Sequence, residues 1–139
     1  MYRYHADIYC EVFAVNVGNI RRNEIEWEGI QAIQNDKDFV QFNSPEYGFR
    51  AMARTLRSYQ RRGVLTVRDI INTYAPASEN HTANYIRFVA RRLDVSPDQP
   101  LEVNRRMFEL IKAITVFENG SRFENHYDDT TIQDGIVLA

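Results

Sequence analysis

The sequence predicts an α+β domain, mainly α-helical, with a small N-terminal β-containing lobe. Three observations point there. From residue 44 onward, apolar residues recur at helical spacing in segments bounded by capping and stop residues. Residues 1–43 instead mix short β-prone pieces, Ile8–Val15 and Phe39–Phe42, with the turn formers Asn16, Gly18, Asn19, Asn35 and Asp36. The 139 residues, 44% hydrophobic and 26% charged, suit one folded domain with one core. The expected organisation is therefore a single domain over 1–139: a lobe over 1–43, a helical core over 44–120 and a tail over 121–139.

The helical elements follow in order. Residues 44–62 form a helix with Ser44 as its cap, Pro45 at the first helical position and Glu46 in the first turn. Phe49, Met52, Ala53 and Leu56 supply its inward stripe, and Gly63 stops it. Thr66 and Asp69 predict the next cap; Val67, Ile70, Ile71 and Tyr74 form the apolar face, and Pro76 ends that helix. A third helix runs from Thr82 to Leu93, with Ile86, Val89, Ala90 and Leu93 inward. Ser96–Pro100 is a loop. Residues 104–119 form a fourth helix that ends at Asn119-Gly120. The tail shows only one apolar patch, Ile136-Val137-Leu138.

Several function classes are excluded. The longest apolar runs span a few residues, far short of the ~20 that cross a bilayer. Residues 1–15 contain Asp7 and Glu11 and do not read as a secretory signal. Cys10 is the single cysteine, so no internal disulfide forms; it is either a nucleophile or, as such residues more often are, a buried small hydrophobe. His5, His81 and His126 lack ligand spacing, so neither a zinc site nor a cofactor is expected.

The net charge is −2, but 15 of the 17 basic residues are arginine, and they are unevenly spread. Arg50, Arg54, Arg57 and Arg61 share one helix face. Beyond Arg122 come only Glu124, Asp128, Asp129 and Asp134. Arginine favours forked contacts to carboxylates or phosphates. Because the net charge is negative, the stripe reads as a protein-contact or ion-paired face and not a nucleic-acid site.

Glu118 is the leading candidate for chemistry. The inward stripe Met107, Leu110, Ile111, Ile114 continues to position 118, which places a carboxylate on the apolar face in the last helical turn. Desolvation and the negative end of the helix dipole would both favour its protonated form, as a general acid for glycosidic cleavage requires. The alternative is an outward-turned side chain at a fraying end with a plain Asn-Gly cap. Glu79 and Asn80 lie in a polar connection between helices, where they either serve a site or cap the third helix. Tyr85 either lines a cleft or covers the core rim. Asn19 sits in a turn that aims asparagine side chains. Trp27 is either a sugar-stacking platform or a core anchor.

Three stretches together resemble phage-encoded structural or lytic virion proteins. They are Asn16–Arg21 with Trp27-Glu28-Gly29; Phe39–Leu56; and Ala75–Thr82 with Tyr85, followed by Phe117–Gly120. The resemblance spans about residues 16–120 and implies a lysozyme-like fold, related to the muralytic protein of the enveloped double-stranded RNA phages. Ala113–Gly120 also resembles the helix end that carries the catalytic glutamate of lytic transglycosylases. Glu79–Ile86 resembles the helix that places a tyrosine in their cleft. The order is reversed here, which implies a rearranged or circularly permuted domain.

The function so implied is cleavage of the β-1,4 link between peptidoglycan sugars by a virion protein made in the host cytoplasm. Glu118 would be the acid, Glu46 or Glu79 a second carboxylate, and Tyr85, Asn19, Asn80 and Trp27 the substrate contacts. Partners would be peptidoglycan and other virion proteins, without a membrane or nucleic acid. Four departures from the family pattern are present: Val17 for Pro, Phe117 for His, Ser121-Arg122-Phe123 for a stretch ending in Pro-Tyr, and an apolar Tyr9–Val15. They motivate the alternative of a non-catalytic virion part that uses the fold for assembly.

Overall fold

The structure, a computed structural model, describes residues 20, 22, 25–34, 39–75, 79–120 and 127–139. Pro45–Arg61 forms helix α1. Its stripe of Phe49, Met52, Ala53 and Leu56 is fully buried, as the spacing predicts. Ser44 occupies the N-cap position, but its side chain makes no capping hydrogen bond. Gly63 follows at φ +81°, a left-handed conformation that suits glycine and ends the helix.

Val67–Tyr74 forms α2. The Asp69 N–H donates to the Thr66 hydroxyl at 3.1 Å, which is the expected cap. Glu79–Leu93 forms α3. It begins before Thr82, which lies buried inside the helix and is not its first residue. Met107–Asn119 forms α4, starting later than the expected 104. The preceding residues form a turn instead, closed by the Arg106 guanidinium, which donates to the Leu93 carbonyl at 2.7 Å and to Glu109 at 2.8 Å. The tail holds a fifth helix, α5, over Asp129–Leu138. Only Ile132 and Gly135 are buried on it, a stripe too sparse to announce itself by periodicity.

The described part of the N-terminal region carries little β structure. Within it, an antiparallel bridge joins Ile30 to Phe42, and Phe39 also takes part in bridge pairing. The Gln34 side-chain amide extends the pairing, donating to and accepting from the Gln41 backbone at 2.9 and 2.8 Å. Ile8–Val15 lies outside the described residues, as do Val17 and Ser121–Phe123. This region is pinned to α1 twice. Gly29, at φ +77°, lies against the Tyr47 ring, and Glu28 pairs with Arg50 at 3.1 Å.

Helix packing sets the core. α5 lies along α1, α3 packs on α4 and α2, and α4 also touches α1 and α5. One core unites these helices, with Tyr85, Phe42, Phe49, Met52, Leu56, Ile111 and Ile114 fully enclosed. The close α1–α5 approach depends on Gly135, whose Cα faces the Phe49 side chain and the α1 backbone. Arg50 and Arg54 then donate to the Leu138 and Ala139 carbonyls at 3.3 and 3.2 Å. Cations at the negative end of a helix are favourable, so half of the arginine stripe is used within the fold.

Candidate functional site

The last turn of α4 carries the strongest candidate. Met107, Leu110, Ile111 and Ile114 are buried in register, and Glu118 follows on the same face at 6% exposure. Gly120 ends the helix at φ +93°, its N–H donating to the Val116 carbonyl at 2.8 Å. Asn119 folds back so that its side-chain amide donates to the Thr115 carbonyl at 3.0 Å. The Asn-Gly cap and an inward glutamate therefore coexist; the cap does not turn Glu118 outward.

One helix, α3, brings three aromatic groups to this turn. Phe117, the neighbour of Glu118, stacks on Tyr85 of α3 with centroids 3.9 Å apart and ring planes 21° apart. His81, one turn earlier on α3, packs against the same Phe117 ring at 5.3 Å, and Phe88 does so at 5.4 Å. The two segments that sequence similarity singles out, around Tyr85 and around Glu118, thus meet through Phe117. Tyr85 has no exposed surface, so it supports the turn from within the core and does not line an open wall.

Tyr74, the last residue of α2, belongs to this neighbourhood, although its spacing places it on the apolar face of that helix. Burial pushes its hydroxyl well above the ordinary tyrosine value, and the negative charge of Glu118 pushes it further, with a smaller contribution from Tyr59. Its hydroxyl stays protonated at neutral pH. The signal available in sequence was a hydroxyl-bearing ring at the end of an apolar stripe.

The remaining candidates are more dispersed. Glu46 sits half-buried in the first turn of α1, where its backbone carbonyl faces Gly135 of α5. Thr115 meets Met52 and the residue before Arg105, Asn104, accepts from Arg57, so α4 runs antiparallel to α1. This sense directs the Glu118 end toward the N-terminal half of α1. Glu79 and Asn80 open α3, on the turn before His81; their side chains lie outside the described set, as does Asn19. Trp27 is half-buried against the core, and its indole N–H is enclosed without a hydrogen-bond partner among the described residues. Among the described residues no group of three His, Cys, Asp or Glu is arranged to hold a metal ion. No described helix is long and apolar enough to cross a membrane.

No family profile matches the chain. A relative does: Protein P5 of Pseudoalteromonas phage PM2 is 37% identical over 111 residues, covering 79% of this chain and 67% of the relative. Identity at that level over most of both chains implies a common fold and descent, and the chain belongs to the phage protein family of that P5 protein.

Proposed function

We propose that the chain is a phage virion protein that cleaves the β-1,4 link between peptidoglycan sugars, with Glu118 as the proton donor. The observation that carries this reading is the burial of the Glu118 carboxyl group in the last turn of α4. It lies next to Phe117 and close enough to Tyr74 for its charge to act on that hydroxyl. A carboxyl group kept from bulk water at the end of a rigid helix is placed to hand a proton to a departing sugar oxygen. Trp27 offers a ring face for a sugar, and Asn19 and Asn80 offer amides. Tyr85 holds the Glu118 turn through Phe117.

Glu46 or Glu79 serves as the second carboxylate if one is used. A carboxyl separation of about 5–5.5 Å gives retention, and about 6.5–9.5 Å gives inversion. A transglycosylase needs the single acid/base, with the sugar's own hydroxyl attacking. The test is turbidity loss of purified cell walls with wild type and Glu118→Gln. A general acid contributes roughly 10²–10⁴-fold, so the variant falls by at least about a hundredfold while its helical content is unchanged.

A second reading has its own support. Tyr85, the residue similar to a cleft tyrosine, is wholly enclosed beneath Phe117. A fold that keeps the packing of such a site and closes its cleft would serve as a non-catalytic virion part, bound to other virion proteins. Wild type without any effect on purified walls selects this second reading.

A further inference from the structure

The arginine stripe of α1 is divided. Its first half is consumed by the fold: Arg50 pairs with Glu28 at 3.1 Å and, with Arg54, holds the carbonyls at the end of α5. Its second half lies one turn further along α1, past the end of α5. There Arg57 uses one nitrogen to bind Asn104 at 3.1 Å, and Arg61 and Arg62 stand exposed. At the first half, where Arg50 and Arg54 hold its carbonyls, the last turn of α5 presents Leu138 at 47% exposure and Val137 at 82%, two of the few large apolar side chains turned to solvent among the described residues. The hydrogen bonds from Arg50 and Arg54 tie the backbone of this turn to the basic stripe, so the exposed apolar turn adjoins that stripe one helical turn before Arg57 and Arg61, and turn and stripe together make one surface patch.

We propose that this patch docks an acidic, amphipathic segment of another protein, whose carboxylates meet Arg57 and Arg61 while its apolar side chains cover Leu138 and Val137. The charge pattern selects this occupant. Guanidinium groups match carboxylates in bidentate pairs, and arginine is favoured in protein interfaces. A nucleic acid presents phosphate charge along its whole length, and here Asp134, exposed one turn before Leu138, would meet that charge. An anionic membrane meets the same repulsion with only two apolar side chains to anchor it. A peptide places its carboxylates at intervals, so it can engage the arginines and leave Asp134 in water. The surface is remote in role from Glu118, and the inference stands whether or not the protein cleaves glycan.

The experiment is fluorescence anisotropy with a labelled helical peptide that carries Glu on one face and Leu on the adjacent face. The comparison probes are the same peptide with Ser replacing Leu, a short DNA duplex, and phosphatidylglycerol vesicles. The full chain is titrated as wild type, Arg57→Ala/Arg61→Ala, and Val137→Ser/Leu138→Ser. Saturable binding of the Glu/Leu peptide is expected, weakened at least about tenfold by either pair of substitutions and by the Ser peptide. Arg61, Val137 and Leu138 face solvent and the half-buried Arg57 gives up one hydrogen bond, so circular dichroism of both variants is expected to match wild type. Absence of peptide binding, binding indifferent to both variants, or tighter binding of DNA or vesicles overturns the proposal.

Discussion

Gly135 of α5 lies so close to Phe49 of α1 that a Cβ on the glycine would fall 2.5 Å from the Phe49 Cβ. The same Cβ would fall 2.8 Å from the Glu46 carbonyl oxygen and 3.0 Å from the Arg50 nitrogen. Two effects oppose each other when Gly135 becomes alanine. Helix propensity favours alanine by about 1 kcal/mol. Overpacking costs about 1–3 kcal/mol, and two of the three contacts are backbone atoms that cannot rotate away. Overpacking wins, so Gly135→Ala lowers stability, and Gly135→Val lowers it more. Urea unfolding monitored by circular dichroism measures the loss; an unchanged midpoint for Gly135→Ala would contradict the close α1–α5 packing.

The two capping residues should respond differently to alanine. Thr66 accepts from the Asp69 N–H, whereas Ser44 makes no side-chain capping bond. Removing a working cap costs about 0.5–2 kcal/mol. Thr66→Ala is expected to cost about 1 kcal/mol, and Ser44→Ala much less, because Pro45 has already removed one of the N–H groups that need a partner. Equal losses in paired thermal melts would show that cap position alone decides the effect.

How far the sequence could be read follows from these same residues. The α1 stripe and the Thr66 cap were legible because each depends on neighbours within one or two helical turns. Glu118 was legible for the same reason, since its burial continues a periodic face. α5 was not: its helix is held by long-range contacts, Gly135 on Phe49 and Lys112 with Asp129 at 2.6 Å, that no local window contains. The start of α4 was misplaced because Arg106 turns to bind Leu93 thirteen positions earlier in the chain. Tyr74 was legible as core, but its coupling to Glu118 needed the fold to bring two helix ends together. The strand expected at Phe39–Phe42 survives as isolated bridge pairing at Phe39 and between Phe42 and Ile30, since β pairing needs a partner that propensity cannot supply.

Arg106 joins α3 to α4 by two kinds of bond, and pH should separate them. Its guanidinium pairs with Glu109 at 2.8 and 3.0 Å, and it donates to the Leu93 carbonyl at 2.7 Å. The hydrogen bond and charge of Arg106 hold the Glu109 carboxyl below its ordinary value of 4.5. A depressed carboxyl stabilises the fold above that ordinary value, because the unfolded chain takes up the proton first on acidification. The contribution is therefore lost as pH falls below about 4.5 and through the folded-state value. The Leu93 bond does not titrate with Glu109. Arg106→Ala thus costs roughly 1–2 kcal/mol at neutral pH and keeps part of its effect in acid, whereas Glu109→Ala loses its smaller effect there. Denaturant midpoints across that pH range give the test, and an Arg106→Ala effect that vanishes in acid would reduce the residue to a surface ion pair.

Tyr74 offers a reporter for the state of Glu118 that does not depend on activity. Burial raises its hydroxyl well above 10.0, and the Glu118 charge raises it further. The folded chain then holds a proton that the unfolded chain releases near pH 10.0, so stability declines as pH rises past that value. Tyr74→Phe removes the titrating group, and the decline should become shallower in alkaline unfolding curves. Glu118→Gln acts in the opposite place: it removes a negative charge from beside the hydroxyl, so Tyr74 should ionise at lower pH than in wild type. Ultraviolet titration of tyrosinate formation, with Tyr74→Phe identifying the late-ionising component, reads this directly. Glu118→Asp keeps the charge and should leave the late component near its wild-type position. A late component that is unmoved in Glu118→Gln would separate Tyr74 from Glu118 and remove the hydroxyl from the proposed site.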